Sequence, residues 1–169
     1  FPTGGGKTEA YLGIAAFTIL LRRMRNRHDK TTAVFMRYTL RLLTLQQFER
    51  ASMMIMACND LNLKENISDG EIGIGLWVGN GLTPNKLADA DDFLQKVKTD
   101  SFSRVSNQSG SPCLLKCCPW CGQPINETNY EVNETSRRLE VHCENPDCIS
   151  QRFNHGVLPI HLVDEDIYA

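Results

Sequence analysis

The sequence opens on FPTGGGKTEAYLG, residues 1–13, in which three consecutive glycines precede a lysine and a threonine. Glycine permits positive φ and a close backbone approach, so the amides of such a loop can converge on phosphate oxygens. The lysine adds positive charge, the threonine hydroxyl can bind Mg²⁺, and the helix that follows adds the positive end of its dipole. The stretch predicts a phosphate-binding loop made of Thr3, Gly4, Gly5, Gly6, Lys7 and Thr8, with the catalytic roles on Lys7 and Thr8. The alternative is a plain glycine-rich turn before a helix.

Length and composition limit what kind of protein this is. A phosphate loop normally follows a buried strand, and the first residue is Phe1, so we expect the chain to be part of a longer protein. Its 169 residues correspond to about one domain. A net charge of -2 gives no overall attraction to nucleic acid, so any such contact must be local. The longest apolar stretch, 10–21, is shorter than the roughly 20 residues that span a bilayer, and we expect no membrane partner.

Helical patterns and apolar runs alternate along the first hundred residues. A helix is predicted from Thr8 to about Arg27, apolar on nearly all sides, as in a helix buried against a sheet. Strands are predicted at 32–36 and 72–78, and further helices at 42–58 and from 84 to about 98. This alternation predicts an α/β fold with a parallel sheet and flanking helices.

Polar stretches at 59–70 and 101–111 read as a loop and a linker. The first predicted helix ends on a group of cations, namely Arg22, Arg23, Arg25 and Arg27. We interpret them as charges that complement the helix dipole and face water, with phosphate binding as the alternative.

Six of the seven cysteines lie between residues 113 and 148. Cys118-Pro-Trp-Cys121 has the spacing of a zinc knuckle, and Cys143-Glu-Asn-Pro-Asp-Cys148 forms a wider second pair. Four thiolates would complete a tetrahedral Zn²⁺ site. An odd, clustered count suits metal ligation in a reducing compartment such as the cytoplasm better than a disulfide framework. Rival ligands remain, namely Cys113, Cys117, His142 and His155.

The residues between the two cysteine pairs predict a β-hairpin. Tyr130 and Val132 alternate with polar residues, 133–136 suggests a turn, and Leu139 and Val141 alternate again, so the pairs are joined as in a zinc ribbon. Strand-like composition returns at 157–163. We therefore divide the chain into a first domain (1–111), a ribbon insertion (112–155) and a return to the first domain (156–169). Arg137 and Arg138 at the hairpin are a weak hint of phosphate contact.

Two stretches resemble a known family. Pro2-Thr-Gly-Gly-Gly-Lys-Thr8 resembles motif I of superfamily 2 helicases, and 36–48 stands where those helicases carry motif Ia. The resemblance implies a partial RecA-like P-loop NTPase domain that binds ATP and Mg²⁺, with Thr39 and Arg41 on the sugar-phosphate backbone of a nucleic acid, DNA being favoured. Alternatively, Thr39 caps the next helix and Arg41 is solvated.

A narrower resemblance covers 1–98 and 163–168. These residues look like the first motor domain of the large helicase component of DISARM-type anti-phage defence systems, proteins that also carry a cysteine-rich insertion at this point. The resemblance implies the ATP-binding part of a nucleic-acid-dependent ATPase, with other defence-system subunits as further partners. The alternative is a zinc-ribbon module that binds nucleic acid or protein beside a non-unwinding or degenerate P-loop ATPase.

Leu162-Val-Asp-Glu165 looks like an apolar strand that ends in the Asp-Glu pair of a Walker B motif, which would bind Mg²⁺. However, His161 interrupts the apolar run, and Asp166-Ile167 replaces the usual ending of the motif. We therefore interpret Asp164 and Glu165 as a solvated acidic turn after a strand, and the resemblance places Walker B beyond residue 169.

Overall fold

The computed structural model describes residues 6–37, 41–78, 82–99 and 110–167, the side chains of 41–44 and 167 excepted. It contains helices, a small parallel sheet and an antiparallel hairpin, so the predicted α/β class is confirmed. Contacts group the chain into two compact units, Phe1–Ile72 and Gly73–Ala169. None of the described helices is both long and apolar enough to cross a bilayer.

The first unit is built on two helices that pack together, α1 (Lys7–Arg25) and α2 (Arg41–Lys64). Gly6 precedes α1 in the left-handed region, with φ 71°, a backbone conformation that favours glycine. One side of α2 is buried along residues at helical spacing, namely Phe48, Ala51, Ile55 and Cys58.

Two buried asparagines extend α2 beyond its predicted end at residue 58. Asn59 Nδ2 donates to the carbonyl of Ile72 (2.8 Å), and its Oδ1 accepts from the Ile72 amide (2.9 Å). Asn62 Oδ1 accepts from the amide of Ser68 (2.8 Å). These side chains satisfy the backbone of the following loop, so the part of the predicted loop that runs to Lys64 is helical instead.

Two sequence-based expectations for this unit were wrong. Among the residues that α1 was expected to bury, Tyr11, Ile14 and Phe17 are 58%, 63% and 66% exposed. The segment 32–36 forms no ladder with any described residue, and Phe35 is 73% exposed. An apolar run alone does not make a strand, because a strand also needs the backbone of a neighbour to hydrogen-bond with.

The arginines at the end of α1 bind loop carbonyls. Arg23 donates to the carbonyls of Asp69 (2.9 Å) and Glu71 (3.1 Å). Arg27 donates to the carbonyl of Asn66 (2.7 Å). These guanidinium groups fasten the loop after α2 to the end of α1, a role that the dipole interpretation did not foresee.

The second unit contains a short parallel pair. Strand β1 (Ile74–Gly75) lies beside β4 (Ile160–His161), with Ile74 opposite Ile160. The parallel arrangement is as predicted, but both strands are shorter than the predicted 72–78 and 157–163. Gly73 lies so close to His161 that an added Cβ would come within 2.8 Å of its Nε2, which explains a glycine before the strand.

An antiparallel hairpin forms the other sheet, with β2 (Tyr130–Asn133) paired to β3 (Arg138–Val141). Asn133 Oδ1 accepts from the amides of Thr135 and Ser136 and so closes the turn. Helix α3 (Leu87–Thr99) packs on this hairpin and buries Ala90 and Leu94. Two short helices, α4 (Ser150–Asn154) and α5 (Asp164–Ile167), complete the unit. The predicted linker 101–111 lies outside the described residues except at its last two positions.

The Asn59 contacts make a direct prediction for stability. Asn59→Ala should lower the free energy of unfolding by about 1–3 kcal/mol, because it leaves the buried amide and carbonyl of Ile72 without partners. Urea unfolding followed by circular dichroism measures the change. The control is Lys64→Ala on the exposed side of the same helix, which should change stability by less than about 0.5 kcal/mol. An Asn59 variant as stable as this control would contradict the assignment.

Candidate metal centre

The first cysteine pair lies in a tight turn. The amide of Cys118 donates to the carbonyl of Gln123 (2.8 Å), and the amide of Gly122 donates to the carbonyl of Cys118 (3.0 Å). Gly122 has φ 73°, which its missing Cβ permits. The chain therefore reverses within five residues and brings the sulfurs of Cys118 and Cys121 to the same side.

The second pair is held by a glutamine and a glycine. Gln151 Nε2 donates to the carbonyl of Cys143 (2.8 Å), and the amide of Cys143 donates to the carbonyl of Gly156 (2.8 Å). Gly156 has φ 92°, and a Cβ there would come within 2.8 Å of Gln151 Nε2 and 3.0 Å of the Cys143 carbonyl. A larger residue at 156 would therefore push the chain away from the second pair.

The four sulfurs converge on one point. Cys118 Sγ lies 3.8 Å from Cys148 Sγ, and Cys121 Sγ lies 3.5 Å from Cys143 Sγ. All four lie within 4.8 Å of one another. A tetrahedral zinc with Zn–S bonds of about 2.3 Å sets its sulfurs about 3.8 Å apart. The donor set and its spacing therefore fit a zinc ion, and four thiolates leave no open position for a substrate.

The rival ligands lie outside this cluster. Among the described residues, His, Cys, Asp and Glu side chains come close enough to share a metal at these four cysteines only. Cys113 is buried, which raises the pKa of its thiol to about 12, but it is not one of these four. Cys117 is exposed, as is His155, which ends α4 with φ 49°. His142 Nε2 lies 3.7 Å from a carboxylate oxygen of Glu140.

The charge state of the cluster explains why a cation suits it. Burial raises the pKa of Cys143 to about 11 and raises that of Cys118 well above its ordinary value. Burial also acts on Cys121, but hydrogen bonds from the Gln123 backbone and from neighbouring side chains outweigh it and lower its pKa to about 7. A divalent cation would supply the charge that buried thiolates need, and binding would release protons.

A buried tyrosine supports the centre from the hairpin. The Tyr130 hydroxyl donates to the carbonyl of Leu115 (3.0 Å) and accepts from its amide (3.0 Å). This pair of bonds fixes the chain that leads into the first cysteine pair. The sequence analysis identified Tyr130 only as an inward-facing strand residue. Its hydroxyl could have predicted this contact from the sequence, because a buried phenol needs a polar partner.

Only part of the predicted phosphate loop can be placed. Gly6 precedes α1, Lys7 begins it with an exposed side chain, and Thr8 is half-buried. The remaining predicted site residues lie outside the described part of the chain, namely Thr3, Gly4, Gly5, Thr39 and the side chain of Arg41. The nucleotide and nucleic-acid sites therefore stay predictions.

The acidic segment near the end differs from both interpretations of it. Strand β4 ends at His161, so Asp164 and Glu165 begin α5 and do not end a strand. Glu165 Oε2 accepts from the amide of Leu87 (3.0 Å), whereas Asp166 is only 4% exposed. The segment is therefore an acidic turn whose carboxylates bind other parts of the unit, and it is only partly solvated.

The fold and the cluster together define an α/β chain with a four-cysteine site that can hold a metal such as zinc. No family model matches the chain. It is 36% identical over 183 residues to the DISARM protein DrmA of Bacillus paralicheniformis, in an alignment that covers 99% of this chain and 16% of that protein. The chain thus spans about a sixth of the relative's length. The expected relation to a DISARM protein is confirmed, and the helicase assignment stays a prediction.

The cysteine geometry predicts the metal content of the purified protein. The wild type should bind one zinc per chain, and Cys118→Ser or Cys148→Ser should weaken binding by about 10-fold or more, because the tetrahedral set is then incomplete. The matched control is Cys117→Ser, adjacent in sequence but outside the cluster. Elemental analysis and competition with a chromogenic chelator measure both quantities. Equal losses in Cys117→Ser and Cys118→Ser would contradict the ligand assignment.

Proposed function

We propose that residues 1–169 are the ATP-binding part of a nucleic-acid-dependent ATPase of the superfamily 2 helicase type, acting in anti-phage defence. The observation that carries the proposal is the 36% identity to the DISARM protein DrmA along 99% of this chain. The chain spans about a sixth of that protein, so the activity and partners of the whole protein belong to the proposal. They include nucleic acid, with DNA favoured, and other defence-system subunits in the cytoplasm, without a membrane.

The start of α1 supports phosphate binding. Helix α1 has 19 residues, and the positive end of its dipole lies at its N-terminus. Gly6 precedes this turn in a left-handed conformation. In the proposal, Gly4 to Gly6 and Lys7 bind the β- and γ-phosphates and Thr8 binds Mg²⁺. Hydrolysis would be driven by electrostatic positioning of the γ-phosphate.

The proposed architecture is a partial RecA-like domain, 1–111 with 156–169, that carries a zinc ribbon at 112–155. The parallel pairing of β1 with β4 supports it, because the two strands come from either side of the ribbon and meet in one sheet. Such a return to the same sheet is what an insertion requires.

Charge distribution supports placing the nucleic-acid contact outside the ribbon. Residues 112–155 hold four Lys or Arg and six Asp or Glu, whereas 1–111 hold fourteen basic and eleven acidic residues. Arg137, a hint of phosphate contact in the sequence, has its guanidinium 3.6 Å from a carboxylate oxygen of Glu165. We therefore propose that Thr39 and Arg41 contact the sugar-phosphate backbone, as the family resemblance implies.

A second candidate is a zinc-ribbon binding module beside a degenerate phosphate loop. The convergence of the four sulfurs within 4.8 Å favours it, because this feature is independent of any nucleotide. Nucleotide binding separates the two candidates, since a degenerate loop would not retain ATP.

The proposal predicts the behaviour of the full-length protein that contains this segment. It should hydrolyse ATP faster when nucleic acid is present. Lys7→Ala should lower kcat by about 100-fold or more, because the variant lacks the positive charge that stabilises the transferred phosphoryl group. The matched control is Lys30→Ala, an exposed lysine beyond the end of α1, which should retain activity. A coupled ADP-release assay measures the rates.

Binding measurements complete this test. Absence of ATP binding by the full-length wild type would overturn the proposal and favour the ribbon module. Residues 1–169 alone should not hydrolyse ATP, because a second motor domain and its arginine finger are expected outside them. Turnover by this segment that Lys7→Ala abolishes would contradict that expectation.

A further inference from the structure

Two carboxylates of helix α5 bind other elements of the second unit, and a third is influenced by the side chain of Trp77. Asp166 Oδ2 accepts from the amide of Leu139 in β3 (3.0 Å). Glu165 Oε2 accepts from the amide of Leu87, the first residue of α3 (3.0 Å). Burial raises the pKa of Asp164, and the side chain of Trp77, two residues beyond β1, acts against that rise. We call Asp164, Glu165 and Asp166 the acidic clasp.

A second path joins the cysteine cluster to the parallel pair. The amide of Cys143 donates to the carbonyl of Gly156, and the amide of Leu158 donates to the carbonyl of Val141 (2.8 Å each). The chain then continues directly into β4, which pairs with β1. The segment that leaves the metal site is therefore the same segment that forms the sheet.

The parts that the clasp joins have little stability of their own. Strands β1 and β4 have two residues each, and α3 has thirteen, about the length at which isolated helices are marginal in water. Helix α3 buries Ala90 and Leu94 within the unit and packs on the hairpin. The ribbon itself buries Tyr130, Leu139 and Val141, and a metal at its cysteines would add folding energy to this core.

We propose that metal binding at the four cysteines stabilises the folded conformation of helix α3 and of the β1–β4 pair. Asp166 and Glu165 are the positioning residues that couple these elements to the metal site. The inference rests on the metal centre and not on the proposed ATPase activity. It makes the ribbon part of the scaffold of the second unit. Loss of metal would loosen α3 and β1, which are distant in sequence from every ligand.

The surroundings of Asp166 and Glu165 suit residues that link separate elements. The Leu139 amide and the Asp166 side chain are both buried, so removal of the acceptor leaves an amide without a partner. Burial raises the pKa of Asp166 to about 6, so an asparagine, which keeps an acceptor oxygen without the charge, should serve at this position. The Glu165 carboxylate lies at the N-terminus of α3, where negative charge is favourable.

Hydrogen exchange followed by mass spectrometry on the zinc-loaded protein tests the proposal. Removal of zinc from the wild type with a chelator, checked by elemental analysis, should raise exchange in 87–99 and 73–78 by about 10-fold or more. Unchanged exchange in those peptides would overturn the proposal. A protein that binds no zinc at all would overturn it through the metal centre and would leave the ATPase proposal standing.

Substitutions separate the clasp from simple packing. With zinc bound, Asp166→Ala should raise exchange in 87–99 and 73–78 by about 10-fold while 116–123 stays protected, and Asp166→Asn should restore the wild-type pattern. The control is Glu131→Ala, an exposed carboxylate on β2, which should behave as wild type. Wild-type exchange in zinc-loaded Asp166→Ala would overturn the role of Asp166.

A milder variant covers the case in which Asp166→Ala fails to fold. Glu165 is on the surface, so Glu165→Ala should fold, and with zinc bound it should raise exchange at the start of α3 by about 3-fold. Exchange there equal to that of Glu131→Ala would overturn the role of Glu165.

Discussion

The second unit depends on the convergence of four cysteine sulfurs within 4.8 Å. Three of these cysteines are buried, and burial raises the pKa of two of them, Cys118 and Cys143. Around them lie a hairpin with four-residue strands, a parallel pair with two-residue strands and helices of four to thirteen residues. Short as they are, these elements enclose an apolar core that includes Tyr130, Leu139, Val141, Leu158 and Leu162. A metal at the four cysteines would add folding energy to this core.

The first unit is stabilised differently, by side chains that form hydrogen bonds with the backbone amides and carbonyls of a loop. Asn59 binds the amide and the carbonyl of Ile72, and Arg23 and Arg27 bind the carbonyls of the loop that follows α2. These contacts fix the loop against the helices. Several apolar side chains of α1, Phe17 among them, are exposed in this unit.

The features that sequence reasoning predicted are those encoded locally. The spacing of Cys118 and Cys121, the alternation around Tyr130 and the helical pattern after Lys7 each lie within a single short stretch of the chain. The errors concern partners that are distant in sequence. The run at 32–36 is apolar but pairs with no strand among the residues that the structure describes, and the end of α2 depends on the loop amide that Asn59 binds thirteen residues later. Asp166 gives no sequence signal of its own, because its partner is the amide of Leu139 and any residue carries an amide.

X-ray absorption at the zinc edge of the purified protein tests the central claim most directly, because it measures the ligands around the metal. Four buried or half-buried cysteines and no histidine in the cluster predict a single shell of four sulfurs at about 2.3 Å. A shell with fewer than four sulfurs, or with nitrogen or oxygen ligands at about 2.0 Å, would contradict the account.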